Sequence, residues 1–138
     1  MNEDIRKHAY PIGVDEFSGD LREICQPLIA QPGEIWQYGV NIDFASLAVE
    51  RATGMSLNDY FHKNIFEPLG LKSISLFPNE DMKKRLAYMN QRTPSGVLIG
   101  REHLLRKPLM AKSSEIKDIL NSGGAGAFAT ATDYARTL

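Results

Sequence analysis

The strongest hydrophobic pattern in the sequence lies between Val40 and Thr53, where apolar residues cover most of a helical circumference. This distribution predicts a helix that is buried on several sides. Gly54 stands where a left-handed residue would end that helix. The next segment begins with a capping-box pattern at Ser56 and stops before Pro68, which predicts a second helix directly after the first.

The segment before these helices has a weaker pattern. Residues 1–18 show no strong periodicity and are expected to be irregular. A short helix is predicted to start near Asp20, from the helical spacing of Leu21, Ile24, Cys25 and Leu28. The sequence Gln31-Pro32-Gly33 then predicts a turn.

After Gly70 the pattern changes from helical to mixed. Lys72–Phe77 alternates like a strand, a helical turn is predicted at Pro78–Asp81, and the segments around Pro94-Ser95-Gly96 predict a hairpin. A last helix is predicted to start at Thr132 or Asp133, so near Leu138 that the chain is expected to be part of something larger. The predicted fold class is α+β and mainly helical, with residues 1–71 helical and residues 72–138 a return segment.

Composition narrows the classes of function. The 138 residues are 43% hydrophobic and 24% charged, with a net charge of −1, as in ordinary globular domains. Because acids and bases are interleaved, nucleic acid and membrane surfaces are not expected as partners. The lone Cys25 indicates neither a disulfide nor a zinc site and is predicted to be buried. The charged N-terminal stretch is no signal peptide, so a cytosolic location is expected.

Two regions together carry a family resemblance, Pro32 to about Leu71 and Gly123–Leu138. The first contains a W-x-Y-G-x-N-x-D motif, followed at fixed offsets by E-x-x-T-G-x-S-L and I-F-E-P-L-G-L. These motifs resemble the class C β-lactamase-like serine hydrolases, which include penicillin-binding proteins, esterases and acyltransferases. The spacing is most similar to that of the fungal acyltransferases that load the statin side chain.

The resemblance implies a role for Tyr38. In that family a serine, a lysine three residues later and a distant tyrosine meet in one cleft, and Tyr38 matches this tyrosine. A serine hydroxyl is a weak nucleophile, so a phenol beside a lysine can accept its proton and pass it to the leaving group. The implied reaction is acyl transfer from an ester, thioester or amide to water or an alcohol through a serine acyl-enzyme, with no metal or cofactor.

Other residues of the motif have two interpretations each. Trp36 can form either a substrate wall or part of the core. Asn41 can bind a substrate amide or cap the following helix, since it stands one position later than the family's usual asparagine. Asp43 can bind the backbone or a nearby basic residue, but the favoured interpretation is an acidic side chain exposed to solvent on the helix.

Gly123, Gly124 and Gly126 suit a backbone that passes close to the cleft, where side chains would collide with substrate. A tight turn is the alternative for this glycine cluster. Its spacing matches no dinucleotide or phosphate loop.

The family's S-x-x-K motif does not precede Tyr38. Ser114-Glu115-Ile116-Lys117 matches it formally, but it follows Tyr38 and has polar neighbours, so it is interpreted as a chance match. The chain is expected to form part of the helical subdomain of a β-lactamase/transpeptidase-like fold, with its return toward the α/β subdomain. Because the S-x-x-K motif is missing, we expect the chain to be inactive alone. The alternative is a non-catalytic binding module or degenerate paralogue. Apolar surface left exposed in such a chain is expected to favour self-association.

Overall fold

The computed structural model describes Glu3, Gly13 and residues 15–138, so most of the predicted irregular segment 1–18, including His8, lies outside the described residues. Short helices predominate over short strands, which confirms the mainly helical α+β class. In the described part, no helix is both long and apolar enough to cross a membrane. Within residues 15–138 the α-helices are α1 (Leu21–Ile24), α2 (Asn41–Thr53), α3 (Leu57–Phe61), α4 (Glu80–Lys84), α5 (Arg106–Met110) and α6 (Ala131–Ala135).

Side-chain caps explain where several of these helices begin. The Asp20 carboxylate accepts a hydrogen bond from the Arg22 backbone N–H at 2.9 Å, and the Arg22 guanidinium bonded to it holds the pKa of Asp20 well below its usual range. Ser56 accepts from the Asp59 N–H at 3.1 Å and donates its hydroxyl to the Asp59 carboxylate at 2.7 Å. At the start of α4, the Asn79 side-chain oxygen accepts a hydrogen bond from the Met82 N–H at 2.9 Å. All three helix starts confirm the sequence predictions.

The α2–α3 pair forms the predicted helix–turn–helix. Gly54 ends α2 with a φ of 69°, as expected for a left-handed C-terminal residue. A π-helical turn, His62–Phe66, continues α3, and the chain leaves it before Pro68. Phe66 packs with Leu71 and Ile74 in the main hydrophobic cluster, which α3 and the π-helical turn also cover.

Two small antiparallel sheets follow. Strand β1 (Ile74–Ser75) pairs with β4 (Phe128–Ala129), so the end of the chain returns to the main hydrophobic cluster. The predicted hairpin is confirmed: β2 (Met89–Arg92) pairs with β3 (Leu98–Arg101) across the Pro94-Ser95-Gly96 turn. The division of the chain at residue 71 stays a prediction.

The prediction that α2 is buried on several sides is wrong. Within this helix the two buried residues are Asp43 and Ser46, whereas Ile42 is 60% exposed and Phe44 is also exposed. The inward face is therefore small and polar rather than apolar. Hydrophobic periodicity did not identify it because that signal assumes that the apolar stripe faces the core.

Other boundaries differ from the predictions for local reasons. Helix α1 ends at Ile24, because the residue before Pro27 disfavours helical backbone, and Cys25 is exposed rather than buried. The cap of α6 is Thr130, not Thr132 or Asp133. The predicted strand Lys72–Phe77 shrinks to β1, since the Leu76 N–H donates to the Asn58 side chain and not to a ladder.

Candidate active site

The segment between α1 and α2 presents Trp36 and Tyr38, and we call residues 35–40 the tyrosine loop. The predicted turn at Gln31-Pro32-Gly33 precedes it, with the Glu34 N–H donating to the Gln31 carbonyl at 3.1 Å and Gly33 at φ 89°. Trp36 is 86% exposed and Tyr38 is 84% exposed. In the described chain Trp36 is therefore not a core residue, and the Tyr38 phenol is open to solvent.

The tyrosine loop leads directly into α2. Val40 is the N-terminal cap of the helix and Asn41 its first residue, and no side chain caps this end. The interpretation of Asn41 as a cap is therefore wrong. The Asp43 and Phe44 backbone N–H groups both donate to the Val40 carbonyl, at 3.1 and 3.3 Å. The first helical turn thus begins at Asn41, three residues after Tyr38.

Asp43 links this first turn to the glycine cluster. Its side chain is buried, the residue being 7% exposed, and Oδ1 accepts a hydrogen bond from the Gly124 backbone N–H at 3.3 Å. The favoured interpretation of Asp43 as a solvated acid is therefore wrong, and its alternative, a bond to backbone, is correct. This contact joins residues that are 81 positions apart in the sequence.

The three glycines allow close approach of backbone to α2 and to a neighbouring turn. A Cβ atom on Gly123 would overlap the Ser46 hydroxyl, and one on Gly124 would lie 2.7 Å from Asp43 Oδ2. A Cβ on Gly126 would overlap the Ser122 carbonyl, to which the Gly126 N–H donates. The predicted tight turn is present at residues 122–126, and the backbone also approaches protein atoms of α2 closely. The predicted approach of this backbone to substrate stays a prediction.

The formal S-x-x-K match lies on the surface. Ser114 and Lys117 are both exposed, in a turn and in the following 3₁₀ turn (Ile116–Asp118). An exposed serine beside an exposed lysine lacks the shielded, positioned base that activation of a serine requires. Within the described residues no group of three or more His, Cys, Asp or Glu side chains could hold a metal ion.

Comparison with known proteins decides the family. The Beta-lactamase family model matches residues 20–138. The chain belongs to the beta-lactamase family. A lovastatin esterase of Penicillium rubens is 34% identical over 116 residues, which cover 81% of this chain and 27% of the esterase. The ML-236A carboxylate methylbutanoyltransferase of Penicillium citrinum is 39% identical over 85 residues, or 60% of this chain and 20% of the enzyme.

Solved structures agree with this assignment. A mutant of simvastatin synthase from Aspergillus terreus superposes with a TM-score of 0.76 at 28% identity, covering 99% of this chain and 31% of the synthase. The unliganded selenomethionyl synthase gives a TM-score of 0.69 at 27% identity. The predicted resemblance to statin-type esterases and acyltransferases is thus confirmed. The chain spans about a fifth to a third of the length of these relatives.

Polar side chains that the sequence did not single out hold the beta-lactamase-family segment together. Asn58 Oδ1 accepts hydrogen bonds from the Ser75 hydroxyl and the Leu76 N–H, both at 3.0 Å. The Asn58 backbone N–H donates to Asn121 Oδ1 at 3.3 Å. Asp133 accepts from the Lys72 and Ser73 N–H groups. These contacts join residues 17 to 63 positions apart, and local patterns carry no signal for them.

The buried Ser75 lies 3.4 Å from His62 Nε2, a pairing that superficially matches a nucleophile and its base. The single proton of its hydroxyl is shared between two acceptors, Asn58 Oδ1 at 3.0 Å and the Phe77 carbonyl at 2.9 Å, and its oxygen accepts from the Phe77 N–H at 3.1 Å. Because no substrate can reach a buried, fully bonded hydroxyl, this pair is structural. His103 packs its ring against Phe128 and is structural as well.

Proposed function

We propose that this chain contributes the tyrosine side of the active site in a statin-type esterase or acyltransferase. The reaction is acyl transfer from an ester, thioester or amide to water or an alcohol through a serine acyl-enzyme. One observation carries the proposal: the exposed tyrosine loop starts a helix that is bonded, through Asp43, to the glycine cluster. Two separate parts of the family resemblance therefore form one unit.

Each candidate residue has a proposed role. Tyr38 transfers the proton between the attacking serine and the leaving group, which requires a phenol that is accessible from outside its own subdomain. Trp36 offers an exposed aromatic wall to an apolar acyl chain. Asn41 is proposed to bind a substrate amide or carbonyl, and Gly123, Gly124 and Gly126 to form a wall without side chains.

Tyr38 cannot perform this chemistry alone. In the described part of the chain the phenol oxygen of Tyr38 has no hydrogen-bond partner, and the Ser114–Lys117 pair is exposed. A tyrosine accepts a proton at neutral pH only as its phenolate, and that anion needs a neighbouring ammonium to stabilise it. We therefore propose that a serine and a lysine that residues 1–138 do not supply complete the site, and that residues 1–138 alone are catalytically inert.

The substrate is proposed to be a small acyl compound. The relatives' names describe a lovastatin esterase and enzymes that transfer a methylbutanoyl group to ML-236A carboxylate or monacolin J acid. An apolar acyl chain fits the exposed Trp36. No cofactor or metal is required by acyl transfer of this kind, and neither nucleic acid nor membrane is proposed as a partner. The cytosolic location stays a prediction.

A chimera tests the proposed function. Residues 20–138 replace the aligned segment of the lovastatin esterase, and hydrolysis of a short-chain nitrophenyl ester is measured. We expect turnover well above that of the buffer, because the chimera supplies both halves of the site. Circular dichroism verifies that the chimera is folded. A folded chimera without turnover would favour the binding module or degenerate paralogue instead.

Self-association is a second expected property. Trp36, Tyr38 and Ile42 expose apolar area on one continuous stretch of chain, and such surface favours association in water. We expect the sedimentation coefficient of the isolated chain to rise with concentration, and Ile42→Glu to weaken this rise. Met110→Glu, which places the same charge on another exposed apolar residue, is the control. A concentration-independent monomer would contradict the expectation.

A further inference from the structure

Asp43 is a buried carboxylate that the proposed chemistry does not use. It stands five residues after Tyr38, in the first turn of α2. Burying a carboxylate is costly unless hydrogen bonds or opposite charges compensate it. Among the described residues no ion pair with Asp43 is found, and the compensation comes from the Gly124 N–H and from the N-terminal end of the helix. Its position therefore needs an explanation.

The contact between Asp43 and Gly124 is both a hydrogen bond and a close steric fit. Oδ1 accepts the Gly124 N–H at 3.3 Å, and Oδ2 lies where a side chain on residue 124 would begin, 2.7 Å from an ideal Cβ. One turn further along α2, Ser46 is 5% exposed and makes a steric contact only: a Cβ on Gly123 would overlap its hydroxyl, which donates to the Ile42 carbonyl. The glycine cluster is thus held against α2 at two successive turns.

We infer that Asp43 is a positioning residue: it fixes the glycine cluster against the base of the tyrosine loop and so sets the spacing between Tyr38 and the glycine wall. The inference rests on the proposed function, since it assigns a purpose to that spacing. Ser46 contributes packing, whereas the carboxylate supplies the acceptor that orients the Gly124 backbone. Loss of this acceptor frees the glycine cluster without removing the hydrophobic core, which lies around Phe66.

The chain offers a direct measurement of this spacing. Trp36 is the single tryptophan and Cys25 the single cysteine, so Cys25→Ser with Ala125→Cys gives one donor and one attachment site for an acceptor dye. Ala125 is exposed, which suits it for labelling. Time-resolved energy transfer then reports the distribution of distances between the tyrosine loop and the glycine cluster. A second measurement, the hydrogen-exchange rate of the Gly124 amide, reports its hydrogen bond to Asp43.

We expect Asp43→Ala to broaden this distance distribution and to speed Gly124 exchange about tenfold or more relative to the Thr93 amide of the hairpin. Asp43→Asn, which keeps an acceptor oxygen, should restore both values. Gly124→Ala should also broaden the distribution, because its new Cβ displaces the carboxylate. Asp118→Asn, which removes the charge of an exposed acid in the 3₁₀ turn, is the matched control and should change neither value.

The inference is overturned if Asp43→Ala leaves both measurements unchanged, or if it speeds all amides equally, as simple destabilisation would. If Asp43→Ala does not fold, Asp43→Asn and Gly124→Ala decide: an unchanged distribution in Gly124→Ala contradicts the inference. These measurements use the chain itself and need no turnover. An inactive chimera would therefore count against the proposed function alone, and an unaltered distance distribution against the positioning role alone.

Discussion

Tyr38→Phe in the lovastatin esterase chimera is expected to lower turnover of a short-chain nitrophenyl ester by about 100- to 10,000-fold, the range that positioned proton transfer contributes. The substitution removes one oxygen and leaves the ring in place. Because Tyr38 is 84% exposed and its phenol bonds to no group of the described chain, the fold loses no internal contact. The loss should therefore appear in kcat, with little change in the melting temperature.

Tyr88→Phe is the matched control, since Tyr88 is an equally exposed tyrosine that precedes the hairpin. We expect its turnover to stay within about twofold of the parent chimera, as for surface substitutions away from special features. Near-normal turnover of Tyr38→Phe would show that another group accepts the serine proton. Equal losses in both variants would indicate a general defect of the chimera.

Local sequence signals were sufficient for the elements that local chemistry determines. The Ser56 capping box, the Asn79 cap, the left-handed Gly54 and the hairpin around Pro94-Ser95-Gly96 all depend on residues within a few positions of one another. Each of these predictions is confirmed. The family was likewise predictable, because its motif has several fixed residues at fixed spacing.

The orientation of α2 depends on distant residues and could not be predicted. Asp43 and Ser46 face inward because a glycine-rich backbone more than 70 positions later needs a small, polar surface. A hydrophobic pattern does not encode this requirement, since it reports where apolar residues lie and not which face has a partner. Ile42 and Phe44, by contrast, are apolar residues of the same helix that stay exposed in the described chain.

The glycine cluster depends both on local sequence and on contacts with distant residues. None of Gly123, Gly124 and Gly126 has a positive φ, so backbone conformation does not require glycine there. Glycine is required instead by the neighbouring atoms, because an added Cβ would collide with Ser46, Asp43 or the Ser122 carbonyl. The sequence predicted close approach but not these partners, since Asp43 and Ser46 are remote in the chain from Gly124 and Gly123.

The isolated chain is expected to form no covalent acyl-enzyme. Removal of a nucleophile leaves a serine hydrolase only the residual effect of binding and oxyanion contacts. Here the sole serine–lysine pair at family spacing among the described residues is Ser114–Lys117, and both are exposed. Since both side chains lie in water, Ser114 lacks the shielded, positioned base that a serine nucleophile needs. Intact-mass spectrometry after incubation with a fluorophosphonate, a penicillin and a nitrophenyl ester in turn should therefore show the unmodified mass.

Chymotrypsin treated with the same fluorophosphonate verifies that the reagent is active, because its serine is activated by a histidine. Ser114→Ala in the isolated chain separates specific from chance modification. A stoichiometric adduct on Ser114 that disappears in Ser114→Ala would show a working nucleophile within residues 15–138. That result would remove the need for a serine and a lysine from elsewhere, and the role of Tyr38 would then have to be tested against Ser114 rather than against a complementary segment.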